Sequence, residues 1–174
     1  YFPGSTVGNF SRSDAACLLQ NFASMIRDDS DDEQIGSEGA VVVGFDCKKD
    51  TSRMEAAYND SEGVTAEFNY NVIDRLAQEL RVSLDREKFT FRADWVEDEG
   101  AIVSRLWVDE SHTVEMAGEK VRFEVGEAIR MEESHKYTPE EFETLAQQSH
   151  LGMERIWTDD AGDFAVAYLR PLSV

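Results

Sequence analysis

The stretch AVVVGFD, residues 40–46, decides the fold. It is an unbroken apolar run of strand length. A strand apolar at every position is covered on both faces, and helix-covered parallel sheets are where such strands occur. Its last residue, Asp46, then stands at the carboxyl end of a strand, the edge at which open α/β sheets carry ligand chemistry. Upstream, SRSDAACLLQNFASMI (residues 11–26) offers Ser11 and Ser13 as capping residues and then Leu18, Phe22, Met25 and Ile26 at helical spacing. Between helix and strand, RDDSDDEQIGSEG (27–39) has no period and too many carboxylates to pack, so it reads as a charged loop.

Downstream, Val64, Phe68, Val72, Leu76 and Leu80 recur every four positions, which predicts a long amphipathic helix. FTFRADWV and AIVSRLWV flank EDEG, and HTVEM and KVRFEV flank AGE, so two hairpins are predicted between about 89 and 126. Thr138 and Pro139 open a further helix, with Glu141 completing a capping box. RIWT and FAVAYLR around DDAGD then predict a closing antiparallel pair. An α/β sheet carrying an inserted antiparallel module accommodates this order better than a bundle or a sandwich.

The 174 residues contain 36 acidic against 17 basic side chains, a net charge of -19. Nucleic acid is thereby disfavoured as a partner, because phosphate contacts need clustered cations and the arginines here are scattered. Anionic membrane surfaces are disfavoured on the same ground, and no apolar run approaches the roughly 20 residues needed to cross a bilayer. Cys17 and Cys47 stand too far apart to spell a metal motif or a disulfide framework, and a cytoplasmic location is the expectation.

Three stretches carry candidate chemistry. GSTVGN (4–9) is a small-residue turn that lets a ligand approach the backbone, with Asn9 offering a donor and an acceptor at one point. No GxGxxG or GxxxxGK[ST] phosphate cradle is present. Tyr58, before the Asn59-Asp60 pair, falls at a helix end beside a loop, where its hydroxyl can meet a polar ligand or the ring can simply half-bury. In MEESHKYTPEEF (131–142), Glu132 and Ser134 are two apart and point to one side of an extended segment. Such a pair can read the two nitrogens of one imidazole or merely face water. His112, His135 and His150 lack metal-ligand spacing, His135 alternates away from Glu132 and Ser134, and no Ser-His-Asp or Cys-His arrangement emerges. No catalytic nucleophile and no metal ligand is assigned.

Taken in order, FPGSTVGN, KKDTSRMEAAYNDSEGVTAEFN, MEESHKYTPEEF and WTDDAGDFAVAYLR resemble the histidine-specific methyltransferases of ergothioneine biosynthesis, over nearly the whole chain. The resemblance implies the C-terminal part of a Rossmann-like class I methyltransferase core with an inserted α+β substrate-binding domain. Residues 1–47 and 137–174 would belong to the core, with 48–136 belonging to the insertion. It implies S-adenosylmethionine as cofactor, L-histidine or a similar amino acid as substrate, and three methylations of the α-amino group to give hercynine. By the same resemblance Asn9 and Tyr58 hold the amino-acid head group, and Glu132 and Ser134 read the imidazole. The family's glycine-rich cofactor loop, its ribose-binding acid and further pocket tyrosines precede the position matched by Tyr1. The expectation is therefore that the cofactor site lies largely in a missing N-terminal part of the same enzyme and that this chain alone is inactive. Ser104, in AIVSRLWV, stands where a larger apolar pocket residue would align.

Lysines number only five, at positions 48, 49, 88, 120 and 136. A carboxylate-rich, lysine-poor surface suits work in high salt. The expected outcome is higher unfolding stability in molar salt than in dilute buffer; equal stability in both would remove the salt-adapted reading.

Overall fold

The computed structural model describes residues 1–27 and 39–172, so the predicted acidic loop lies almost wholly outside the described residues. The chain divides into two compact units. One comprises residues 1–49, 97–101 and 133–174, and the other 50–96 and 102–132.

The first unit is built on a three-stranded sheet of order β1 (Val41–Asp46), β8 (Phe164–Pro171), β7 (Leu151–Thr158). AVVVGFD does form a covered strand, but its paired neighbour β8 runs antiparallel, from Val41 opposite Leu169 to Asp46 opposite Phe164. Parallel pairing occurs on the other edge, where Phe2 N donates to Val42 O at 2.8 Å and Gly44 N to Phe2 O at 2.9 Å. An apolar run reports that both faces are covered; it carries no information on the direction of the neighbour. Helix α1 (Arg12–Ile26) is capped by Ser11, whose Oγ accepts from Asp14 N. Its most buried line is Ala15, Leu19 and Ala23, with Phe22 and Ile26 at the margin and Met25 in solvent. Helix α4 (Pro139–Gln148) starts with the predicted capping box. It brings Phe142 into a stack on Phe45 at 4.1 Å between ring centroids, and Tyr137 meets both rings edge-on.

The second unit holds α2 (Thr51–Tyr58), α3 (Val64–Leu80), the hairpin β4 (His112–Met116) and β5 (Glu119–Phe123), and most of a sheet of order β2 (Phe89–Val96), β3 (Ala101–Val108), β6 (Ala128–His135). Strand β2 lies at a sheet edge, and helix side chains satisfy its outward backbone groups. Tyr70 Oη accepts from Phe91 N and donates to Phe89 O, Asn59 bonds both backbone groups of Ala93, and Glu55 accepts from Trp95 N. The alternate residues 89, 91, 93 and 95 are thus closed to further strand pairing.

The four-residue stripe on α3 marks a helix but not its buried face. Val64 and Phe68 are 64% and 69% exposed, and Val72, Leu76 and Leu80 are also in solvent. The buried positions are Asn69 and Ile73, with Tyr70 and Ala77 packed alongside.

Glu141 couples helix start to charge. Its carboxylate accepts from Thr138 N at 3.0 Å and pairs with Lys48 Nζ at 2.5 Å. Partial burial pushes its pKa up, but the Lys48 and Thr138 hydrogen bonds outweigh that and hold it below the usual range. A carboxyl depressed in the folded state contributes stability above its unfolded pKa of about 4.3, and that contribution is lost as pH falls through the folded value. Urea unfolding at neutral pH and below pH 4 is expected to show a smaller acid-induced loss for Glu141→Gln than for the unaltered chain; identical losses would mean the carboxylate is not engaged.

Candidate functional site

The opening turn owes its position to two contacts within the first unit. Ser5 Oγ accepts from Asp46 N at 2.9 Å, tying the turn to the end of β1. Gly8, in the 3-10 turn Thr6–Asn9, lies so close to the end of β6 that a Cβ there would stand 2.7 Å from His135 O. Only glycine fits such an approach without moving backbone. Asn9, exposed, follows Gly8, and Ser134, buried to 7% exposure, precedes His135. The turn that ends in Asn9 and the end of the strand that carries Ser134 are thereby in close backbone approach.

Below this turn, three charged groups meet. Asp46 Oδ2 pairs with Lys136 Nζ at 2.7 Å and Asp46 Oδ1 with Lys49 Nζ at 2.8 Å. Lys136 Nζ also donates to Ser134 Oγ at 3.0 Å. Lys136 is 1% exposed. A lysine so buried requires an anion, and Asp46 supplies it. The segment is held from its other sides as well. Tyr137 N donates to Asp46 O, Lys48 N to Tyr137 O and Lys136 N to Gly100 O. Arg12 donates to Lys136 O at 3.0 Å, with its guanidinium 3.9 Å from the centre of the Tyr137 ring.

Tyr58 and Glu132 lie in the second unit, on separate elements. Tyr58 is the last residue of α2 and is half-buried against the cluster of Met54, Ala93 and Ile102. Glu132 is exposed on β6, alternate to Ser134 along that strand. The four sequence-predicted residues are thus divided two and two between the units. Ser104 is buried at 2% exposure on β3.

Sequence reasoning missed Gly8 as a contact residue and counted Lys136 among the surface lysines, although it is buried, two positions beyond Ser134. A separate cleft of about 610 Å³ in the first unit is lined by Arg12, Lys48, Glu97, Asp98 and Glu141 and includes none of the predicted residues. Burial, and after it the charge of Asp46, push the Cys47 thiol up, away from a reactive thiolate.

A family model described as histidine-specific methyltransferase, SAM-dependent, matches residues 1–171. Histidine N-alpha-methyltransferase of Mycolicibacterium smegmatis is 34% identical over 168 residues, covering 95% of this chain and 50% of that protein. Its counterpart in Mycobacterium tuberculosis is 33% identical over 170 residues, with the same coverages of 95% and 50%. Ergothioneine biosynthesis protein 1 of Neurospora crassa is 32% identical over 162 residues, 89% of this chain and 17% of that protein. The chain spans about half the length of the first two relatives.

Gly8→Ala sets a methyl group against the His135 carbonyl. Overpacking of this kind costs about 1–3 kcal/mol. The expected outcome is a loss of that size in chemical denaturation; a change within about 0.5 kcal/mol, the range of ordinary surface substitutions, would mean that the turn is not seated on β6.

Proposed function

Because the chain belongs to the family of histidine-specific, S-adenosylmethionine-dependent methyltransferases, we propose that it forms the C-terminal part of a longer enzyme that methylates the α-amino group of L-histidine three times to give hercynine. The observation that carries this reading is the seating of Gly8 on His135, which joins the Asn9 turn to the strand bearing Ser134. In this proposal the first unit is part of the methyltransferase core and the second is part of the substrate domain.

The cofactor supplies an electrophilic methyl group on sulfur, so the enzyme needs alignment and exclusion of water rather than a covalent nucleophile. Asp46, at the end of β1, does not fit its ribose. A ribose would want a free carboxylate at a strand end, and Asp46 is already engaged by two lysines. The cofactor is accordingly assigned to the preceding part of the enzyme.

The roles proposed for this chain are positioning ones. Asn9 and Tyr58 hold the amino-acid head group, fixing the amine that is to be methylated. Glu132 accepts from one imidazole nitrogen and Ser134 bonds the other. An analogue without those nitrogens would leave the polar groups unpaired at a cost of about 1–3 kcal/mol each. Buried Ser104 in place of a larger apolar residue favours, as a second reading, a roomier pocket and another amine substrate.

Incubating the complete protein with S-adenosylmethionine and a panel of amino acids and amines is expected to give trimethylated histidine by mass spectrometry. Turnover of another amine with none of histidine would replace the assignment by the second reading. In the complete protein, Glu132→Ala is expected to weaken histidine binding by about 1.5–3 kcal/mol, the range for a hydrogen bond to a charged group, while S-adenosylmethionine binding is retained. Equal loss of both would make Glu132 a folding residue.

A further inference from the structure

Helix α3 has two faces, and the second unit covers only one of them. Ile73, with Tyr70 and Ala77 beside it, joins the core cluster of that unit, whereas Val64, Phe68, Val72, Leu76 and Leu80 belong to no cluster and stand 36–69% exposed. A surface helix ordinarily turns polar side chains to water. Five large apolar residues in one row mark instead a surface that is covered when the protein works.

The shape of the row selects its occupant. The five residues follow one i±4 line of the helix, and Asn71, Arg75 and Glu79 follow the line next to it. Between Phe68, Val72 and Leu76 on one side and those three on the other runs a groove of about 240 Å³. One wall is apolar, and the other is closed by the Arg75–Glu79 ion pair at 2.8 Å. A groove between two such lines receives the matching ridge of a second helix, which then crosses at about 50°. We propose that the stripe on α3 seats an amphipathic helix from the part of the same polypeptide that lies outside these 174 residues. The inference rests on the reading of the chain as part of a longer enzyme, and the chain spans about half the length of the first two relatives.

A second copy of the chain is a poorer occupant on two counts. A stable pair of copies draws on about 20–30 residues from each side, and the stripe offers five. Each copy also carries a net charge of -19, which opposes association. A tethered segment needs far less contact, because its linker holds it at an effective concentration in the millimolar range. A membrane surface is poorer still. Interfacial helices carry cations on their polar face, whereas α3 sets Glu67, Asp74 and Glu79 against Arg75 alone.

The test uses the complete protein, with Val72→Cys and Leu76→Cys in the row and Gln78→Cys, exposed on the same helix outside it, as the control. Each is alkylated by iodoacetamide under native conditions, and the rate at that residue is read by peptide mass spectrometry. The two row positions are expected to react at least about tenfold more slowly than the control, as a site that must first open locally would. Leu76→Cys carries the test if Val72→Cys does not fold. A photo-reactive benzoylphenylalanine in place of Val72 is expected to cross-link, within one polypeptide, to a segment outside these 174 residues. Equal reaction at row and control positions would overturn the proposal. So would cross-links between two chains, or protection that appears only with vesicles of anionic phospholipid. If the complete protein trimethylates histidine and row and control react alike, the seat on α3 alone fails. If the row is protected and another amine is turned over, the substrate reading fails and the seat stands. A natural protein no longer than these 174 residues would overturn both.

Discussion

Every polar group of Asp46 is engaged, and the first unit is arranged around that fact. Its N–H goes to Ser5 and its carbonyl accepts from Tyr137, while its carboxylate oxygens take Lys49 and Lys136. One residue at the end of β1 therefore fixes the opening turn, the end of β6 together with Lys136 and Tyr137 just past it, and the start of the chain beyond β1. A carboxylate carrying two ammonium groups in a partly buried place cannot be replaced by an apolar residue without stranding a charge, and breaking such a pair on one side costs about 3–5 kcal/mol. The constraint acts where strand ends leave backbone groups unpaired by the sheet.

Local signals in the sequence were legible where their cause is local. The capping box at Thr138 and Glu141 depends on residues three apart and forms as expected. Both hairpins follow from alternation and turn residues, with turns at residues 97–100 and 117–118. What local pattern cannot supply is the identity of the partner. AVVVGFD is covered as its composition requires, yet the antiparallel β8 and the parallel Phe2 bridge come from distant segments. The α3 stripe shows the same limit from another side. Spacing by four drifts about 40 degrees per step on a helix of 3.6 residues per turn, so five such residues sweep around the surface instead of holding one face. The face that packs is chosen by the sheet and carries a buried asparagine, Asn69, whose amide is satisfied by Thr65 O.

The candidate site divides in a similar way. Asn9, Tyr58, Glu132 and Ser134 could be nominated because they belong to stretches with a recognisable order along the chain. Lys136 was not, because a lysine in a charged sequence looks like a solvated one until its burial is known. Gly8 was legible as a permissive residue but not as a contact, since the atom it must avoid, His135 O, is 127 positions away. Asp46 lies between these cases. The strand-end rule pointed at the position, and only the folded structure shows that its carboxylate serves lysines rather than a ligand.

The distribution of rigidity bears on how such a site would discriminate. Asn9 is exposed at the end of a four-residue 3-10 turn, and its placement is inherited from Ser5 and Gly8. Ser134 is buried in a strand and held by a side chain that is itself held. On the proposed reading, the head-group end is shared by all amino acids and needs little selectivity. The ring end must separate imidazole from other rings, which requires donors and acceptors fixed before the ligand arrives. Discrimination grows with the cost of leaving those groups unpaired, and that cost is higher for a buried group than for one that water can reach. On the proposed reading the ring end thus pairs a buried residue, Ser134, with an exposed one, Glu132, and the head-group end pairs exposed Asn9 with half-buried Tyr58, so the selectivity of the ring end rests on Ser134 more than on Glu132.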